Sequence, residues 1–266
     1  MQSEKWTVPR LQALKNQRKI ACLTAYDYLT ARLLDAAGIP LILVGDSLAM
    51  TVQGQSSTLP VTMDAMVYHT TAVSRGVRDA LVVADMPFLS YQISEETALR
   101  NAGRLLQEAG AGAVKIEGGA CRAELVRRLT QTGIPVLAHI GLTPQSVRTI
   151  GGYKVQGRRP AASAGLLRDA RALEAAGAFA IVLECMPAVL GRRITRALRI
   201  PTISIGAGPA CDGQIMVTPD LLGLFSDFQP KFVKRYAELG AAMQKAFAAY
   251  RYEVETGKYP EKKHSY

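Results

Sequence analysis

Several short apolar runs in this 266-residue chain end on a residue that can bind a metal or move a proton: Asp46 in LVGDS, Asp85 in VVADM, Lys115 with Glu117 in VKIEGG, His139 in AHIGL and Glu184 in AIVLE. Asp46 and Asp85 end consecutive runs, so as neighbouring strands they would bring two carboxylates together. Such carboxylates repel unless a proton or a cation sits between them. No His or Cys stands at a metal-ligand spacing, and hard oxygen donors favour magnesium over zinc, with waters and substrate oxygens completing its shell. A lone strand-end aspartate is as readily a helix N-cap; it is the pairing that points to a metal.

Lys115 and Glu117 are two apart on one run, so they share a face of the sheet. Lys115 can bind a substrate carboxylate or form a Schiff base, with Glu117 holding it or the waters of a metal. The two can equally be a plain buried ion pair. His139 ends an otherwise apolar run and reads either as part of the polar shell or as a hydrogen-bonded core histidine. Glu184 precedes Cys185-Met186-Pro187. Apolar surroundings of that kind make a carboxyl a usable general base near neutral pH; the alternative is an ion pair with Arg192 or Arg193. The GAG at 206–208 can offer backbone amides to an anion, but it lacks the spacing of a dinucleotide fingerprint.

The elements that must position these residues follow from hydropathy. Runs at 20–24, 41–45, 81–85, 113–117, 136–140, 180–184 and 202–205 alternate with longer stretches of helical period, the pattern of βα units around a parallel sheet. A weaker eighth run at 214–218 and a closing helix at 232–250 complete the set, and eight units favour a closed (β/α)8 TIM-type barrel over an open α/β sheet. Gly38, Gly110, Gly133 and Gly177 each end a helical stretch where a left-handed C-cap is expected. Barrel strands converge on one mouth, so the six residues above are expected in one pocket. Two long connections, 47–60 and 141–164, leave strands on that side and suit lid or ligand-gripping roles.

A barrel of about 250 residues folds as one unit, so a single domain over 1–266 is expected, with a short N-terminal extension at 1–19 and a mobile, polar tail at 257–266. Hydrophobic residues at 48% and charged residues at 20% allow a large core, while the 6% aromatic share argues against a stacking platform for single-stranded nucleic acid. The net charge of +10 is spread along helical stretches without a dense basic run, which suits an anionic substrate at least as well as a nucleic-acid partner. Cys22, Cys121, Cys185 and Cys211 form no CxxC pair and read as reduced, buried thiols. The N-terminus lacks the apolar core of a signal peptide, and no stretch approaches the roughly 20 apolar residues of a membrane span. A cytoplasmic protein with no membrane partner is expected.

The stretches LTAYDY, VGDSLAM, STLPVTMDAMVYHT, LVVADMPFLSYQ, AGAGAVKIEGG, AHIGLTPQS, GGYKVQGR, IVLEC and IPTISIGAG with CDGQ run in order over most of the chain. Together they resemble the ketopantoate hydroxymethyltransferases of pantothenate biosynthesis. The resemblance implies magnesium, one ion per subunit, on Asp46 and Asp85 with Glu117 close by; contacts to the substrate from Ser47, Asp85 and Lys115; Glu184 as catalytic base; and His139 in the supporting shell. It further implies transfer of a hydroxymethyl group from 5,10-methylenetetrahydrofolate to 3-methyl-2-oxobutanoate through a magnesium-stabilised enolate, in a homodecamer of two pentameric rings. Ala49, Ser204 and Pro219 depart from the family pattern, and none is an implied ligand.

Overall fold

The computed structural model describes residues 5–224 and 230–266. Eight parallel strands close into a barrel in chain order: β1 (Ile20–Thr24), β2 (Leu41–Val44), β3 (Leu81–Asp85), β4 (Ala113–Glu117), β5 (Val136–Gly141), β6 (Ala180–Glu184), β7 (Thr202–Ile205) and β8 (Gly213–Met216). The helices are α1 (Val8–Ala13), α2 (Tyr28–Ala36), α3 (Leu48–Thr51), α4 (Met63–Gly76), α5 (Glu95–Gln107), α6 (Ala123–Gln131), α7 (Val147–Ile150), α8 (Pro160–Ala175), α9 (Ala188–Ala197), α10 (Thr218–Leu221) and α11 (Leu239–Glu255). The expected barrel is therefore present. β8 begins and ends earlier than the 214–218 run because Thr218 already opens α10, with a proline in its first turn.

Side-chain alternation sorts the core into two layers. Ile20, Leu41, Leu81, Ala113, Leu137, Ala180, Ile203 and Ile215, one from each strand, pack in a single buried cluster that fills the barrel interior. Residues of opposite parity, such as Ile42, Val82, Val114, Ala138 and Ile181, pack outward against the helices. The N-terminal extension is ordered where it matters: Leu11 of α1 belongs to the interior cluster. Around it Trp6 N donates to Asp79 O (2.6 Å), Gln12 Nε2 to Phe179 O (3.4 Å) and Lys15 Nζ to Asp212 Oδ2 (2.7 Å). Those three acceptors lie one or two residues before β3, β6 and β8, so α1 plugs the end of the barrel opposite the mouth.

Local punctuation follows the sequence. Thr7, Asp27, Thr62 and Ser94 cap α1, α2, α4 and α5 through their side chains. The four helix-ending glycines all have positive φ. The two long connections are more structured than loops: the first contains α3, and the second contains a 3-10 turn at Pro144–Ser146, then α7, then the start of α8. Cys22 and Cys211 are buried thiols as expected, Cys185 is half-buried, and Cys121 is exposed because it sits in a surface 3-10 turn.

The chain forms two compact units, residues 1–216 and 217–266. In the second, α11 starts later and ends later than the 232–250 stretch read from hydropathy, and it buries none of its own residues. Leu239, Met243, Phe247, Tyr250 and Val254 form an exposed apolar stripe along it. The tail is less irregular than its composition suggests. A capped 3-10 turn forms at Lys262–His264, and the Tyr259 ring lies 5.6 Å from that of Tyr250 and 5.3 Å from that of His264. Among the described residues no helix is long and apolar enough to cross a membrane.

Candidate active site

Strand parity delivers the ionisable residues to the mouth. Leu81 and Val83 face the barrel interior, so Asp85, two residues further along β3, does too. The same alternation takes Ala113 to Lys115 and Glu117, Leu137 to His139, and Val182 to Glu184. Parallel register then aligns Asp85 with Lys115 and Glu117 with His139 across neighbouring strands. All five occupy the C-terminal ends of their strands, where barrels assemble their sites.

Asp46 arrives differently. The chain turns sharply after β2, with Leu48 N bonding Gly45 O and Ala49 N bonding Asp46 O. This turn aims the Asp46 amide at Asp85 Oδ2 (2.9 Å). A Cβ on Gly45 would lie 2.7 Å from Ser47 Oγ and 3.5 Å from Asp85 Oδ2, so a side chain here would push the Ser47 hydroxyl out of its place. Ser47 opens α3 and its hydroxyl is 2.7 Å from Tyr26 Oη. Gly141, at φ +100°, serves β6 similarly: a Cβ there would collide with the Glu184 carbonyl, which accepts from Leu142 N at 3.0 Å.

The charged groups form a continuous chain. Lys115 Nζ lies 2.7 Å from Asp85 Oδ1 and 3.9 Å from Glu117 Oε1; His139 Nδ1 lies 3.3 Å from Glu117 Oε1, and His139 Nε2 lies 3.1 Å from Glu184 Oε2. The imidazole contacts are ion pairs rather than aligned hydrogen bonds, because the ring N–H directions miss the oxygens. Side-chain exposure is 2% for His139 and 3% for Asp85 and Glu117, but 14% for Glu184. Glu184 is thus the end of the chain that opens to solvent. Its neighbour is His139 rather than the apolar wall expected from AIVLE, and no arginine pairs with it among the described residues.

Burial pushes the Asp46 carboxyl well above the usual carboxylate range, and the charges of Asp85 and Glu117 push it further, against Lys115 and a hydrogen bond from Gln145. Burial also disfavours the charged form of Lys115, yet Asp85, Glu117 and Asp46 reverse this and hold the ammonium charged. For His139, burial and Lys115 oppose protonation, but Glu117 and Glu184 outweigh them and raise it to about 9. Burial alone would raise Glu117; His139, Lys115 and the Gln145 amide bring it below its ordinary value. The carboxylates crowded around Asp46 disfavour its charged form, and an added divalent cation would relieve that repulsion.

Among the described residues no three His, Cys, Asp or Glu side chains are arranged as a metal cage. The residues that could hold a cation are Asp46 and Asp85, with Glu117 close by, and all of them offer oxygen. That composition suits a hydrated hard cation completed by water and substrate oxygens, and it does not suit zinc.

Tyr26, Tyr91, Gln145 and Tyr153 join the site without being strand-end residues. Tyr91 and Gln145 are buried behind Glu117 and Asp46. Tyr153 Oη donates to Met50 Sδ at 3.8 Å, so the two long connections meet there. Gln156 N donates to Cys185 O (2.8 Å), tying the second connection to the residue after Glu184, which itself holds a strained φ of +46°. The sequence signal available for these residues was their place in the motifs LTAYDY, FLSYQ, GLTPQS and GGYK.

A family model described as ketopantoate hydroxymethyltransferase matches residues 5–262. A 3-methyl-2-oxobutanoate hydroxymethyltransferase of Syntrophus aciditrophicus (strain SB) is 57% identical over 252 residues, covering 95% of this chain and 93% of its own. The Moorella thermoacetica protein of the same name is 56% identical over 266 residues, covering 100% and 99%. Among solved structures, phosphonopyruvate hydrolase in complex with oxalate and Mg2+ superposes with a TM-score of 0.64 at 15% identity, covering 97% of this chain and 93% of its own. 2,3-Dimethylmalate lyase, described as a PEP mutase/isocitrate lyase superfamily member, gives 0.60 at 18% identity, with 97% and 91% coverage. At such identities these structures share the fold.

Proposed function

The chain belongs to the ketopantoate hydroxymethyltransferase family, and from that premise we propose that its barrel mouth transfers a one-carbon unit from 5,10-methylenetetrahydrofolate to C3 of 3-methyl-2-oxobutanoate. A C3–H bond breaks, a carbon–carbon bond forms to the methylene carbon, and one water supplies the hydroxyl oxygen. The products are 2-dehydropantoate and tetrahydrofolate. The observation that carries this reading is the buried chain from Asp85 through Lys115, Glu117 and His139 to the more open Glu184. It provides a cation for a carboxylate and a base for a carbon acid in one pocket.

Asp46 and Asp85 would hold one magnesium ion per subunit, with Glu117 near its water shell. When bound, magnesium polarises the keto group and stabilises the negative charge that develops on it. A solved barrel of the same fold was obtained with oxalate and Mg2+, which is compatible chemistry. Lys115, held charged by three carboxylates, binds the substrate carboxylate electrostatically together with the Ser47 hydroxyl. An ammonium so strongly favoured is a poor Schiff-base nucleophile. Glu184 takes the C3 proton. His139, paired with Glu184, orients its carboxylate and spreads the proton's charge toward Glu117.

We also assign the protein to the cytoplasm, as a biosynthetic enzyme using folate, and to a homo-oligomer of two pentameric rings. The exposed apolar stripe on α11 supports self-association. Product formation from both substrates, abolished by EDTA and restored by Mg2+, tests the reaction. A borohydride-trapped lysine adduct with undiminished activity in EDTA would replace it with Schiff-base chemistry.

A further inference from the structure

Gln145 is 6% exposed and sits in the Pro144–Ser146 turn that follows β5. Every hydrogen-bonding position of its side chain is used. Nε2 donates to Asp46 Oδ2 and to Met86 O, both at 2.9 Å. Oε1 accepts from Tyr91 Oη at 2.7 Å and from Gln92 Nε2 at 3.2 Å. The opposite amide orientation would set Oε1 against two acceptors, Asp46 Oδ2 and Met86 O, so the surroundings dictate which end is nitrogen. Its backbone N donates to Glu117 Oε2 at 3.0 Å. Tyr91 is held in turn, since its hydroxyl accepts from Glu117 N at 3.1 Å.

One residue therefore grips one oxygen of each of two carboxylates that no sequence pattern links to it. Among the described residues, the Asp46 carboxylate has no other hydrogen-bond partner. Oδ2 is held by the amide, and Oδ1 is the Asp46 carboxylate oxygen that carries no hydrogen bond. With Glu117 Oε2 occupied, Oε1 is turned to His139 and Lys115.

We propose that Gln145 is a positioning residue for the divalent cation, fixing the Asp46 carboxylate so that a single oxygen is presented, with Tyr91 locking the amide that does so. The inference rests on the magnesium reading above. Partners behind a metal ligand commonly govern affinity by roughly 10- to 100-fold, because they remove the cost of ordering the ligand at each binding event.

The test is Mn2+ binding to the whole, substrate-free protein, followed by the loss of the free-ion EPR signal, alongside thermal melting. Gln145→Ala is expected to weaken Mn2+ by roughly 10- to 100-fold, and Tyr91→Phe to weaken it by a smaller factor. The double variant should do little worse than Gln145→Ala, since both act through one bond network. Folded Gln145→Ala protein that binds Mn2+ within about twofold of the parent would overturn the proposal. If Gln145→Ala fails to fold, Tyr91→Phe decides: unchanged affinity there overturns it. A parent protein that binds no Mn2+, or an Asp46→Ala variant that binds it equally well, would remove the metal reading itself and this inference with it.

Discussion

His139 Nε2 lies 3.1 Å from Glu184 Oε2, on a ring whose other nitrogen is 3.3 Å from Glu117. If Glu184 is the base, the imidazole charge beside Oε2 restrains its carboxylate without an aligned hydrogen bond. His139→Asn should leave the metal site intact and slow C3 proton removal by roughly 100-fold, at the low end of what a positioned acid–base group contributes. Measuring kcat and KM separately checks this, because the loss should appear in kcat while the KM for the keto acid changes little.

The same histidine gives the metal-free protein a pH signature. Its folded pKa is raised to about 9 from 6.5, so its contribution to stability is full below about pH 6.5 and is lost as pH rises through 9. Asp46, also raised, acts in the same direction from a lower starting pH, whereas Glu117, lowered, loses its contribution only as pH falls below the carboxylate range. In EDTA the melting temperature should therefore decline from pH 6.5 to 9.5. His139→Asn should flatten that decline.

Two glycines separate fold from site. At Gly45 an added methyl meets Ser47 Oγ, which can rotate away. Gly45→Ala should fold but raise the KM for the keto acid, as Ser47 and Asp85 shift. At Gly141 the methyl meets the Glu184 carbonyl, and the backbone is left-handed. Gly141→Ala should cost more than about 2 kcal/mol of stability, seen as a lowered denaturation midpoint.

Lys115→Met removes the cation from between Asp85 and Glu117. Breaking a buried pair from one side costs about 3–5 kcal/mol, and the proposed contact to the substrate carboxylate would be lost as well. Melting and steady-state kinetics should show a destabilised protein with a strongly raised KM. Unchanged KM would move the carboxylate contact elsewhere.

The barrel and the acidic mouth were legible in sequence for one physical reason. Each strand is an apolar run whose last interior-facing residue is polar, so both the element and its functional end are written locally, as in LVVAD and AIVLE. Gln145 and Tyr91 were not legible in that way. They lie beyond strand ends, in turns, and their importance comes from contacts 99 and 26 residues away in sequence, to Asp46 and Glu117. The surroundings of Glu184 differ from the expectation for the same reason: its own chain neighbours are apolar, but the side chain beside it, on the adjacent strand β5, is His139. The shift in β8 and the displaced bounds of α11 reflect weak periodicity, where a proline-bearing helix start competes with the strand.

The most direct test of the central claim, that Glu184 removes the C3 proton in a pocket organised by Asp46 and Asp85, is NMR of 3-methyl-2-oxobutanoate in deuterated buffer with Mg2+ and no folate. The parent protein should exchange the C3 proton, and Glu184→Gln should bind Mg2+ as before while losing exchange by at least roughly 100-fold. Equal exchange in the parent and in Glu184→Gln would contradict the assignment of the base.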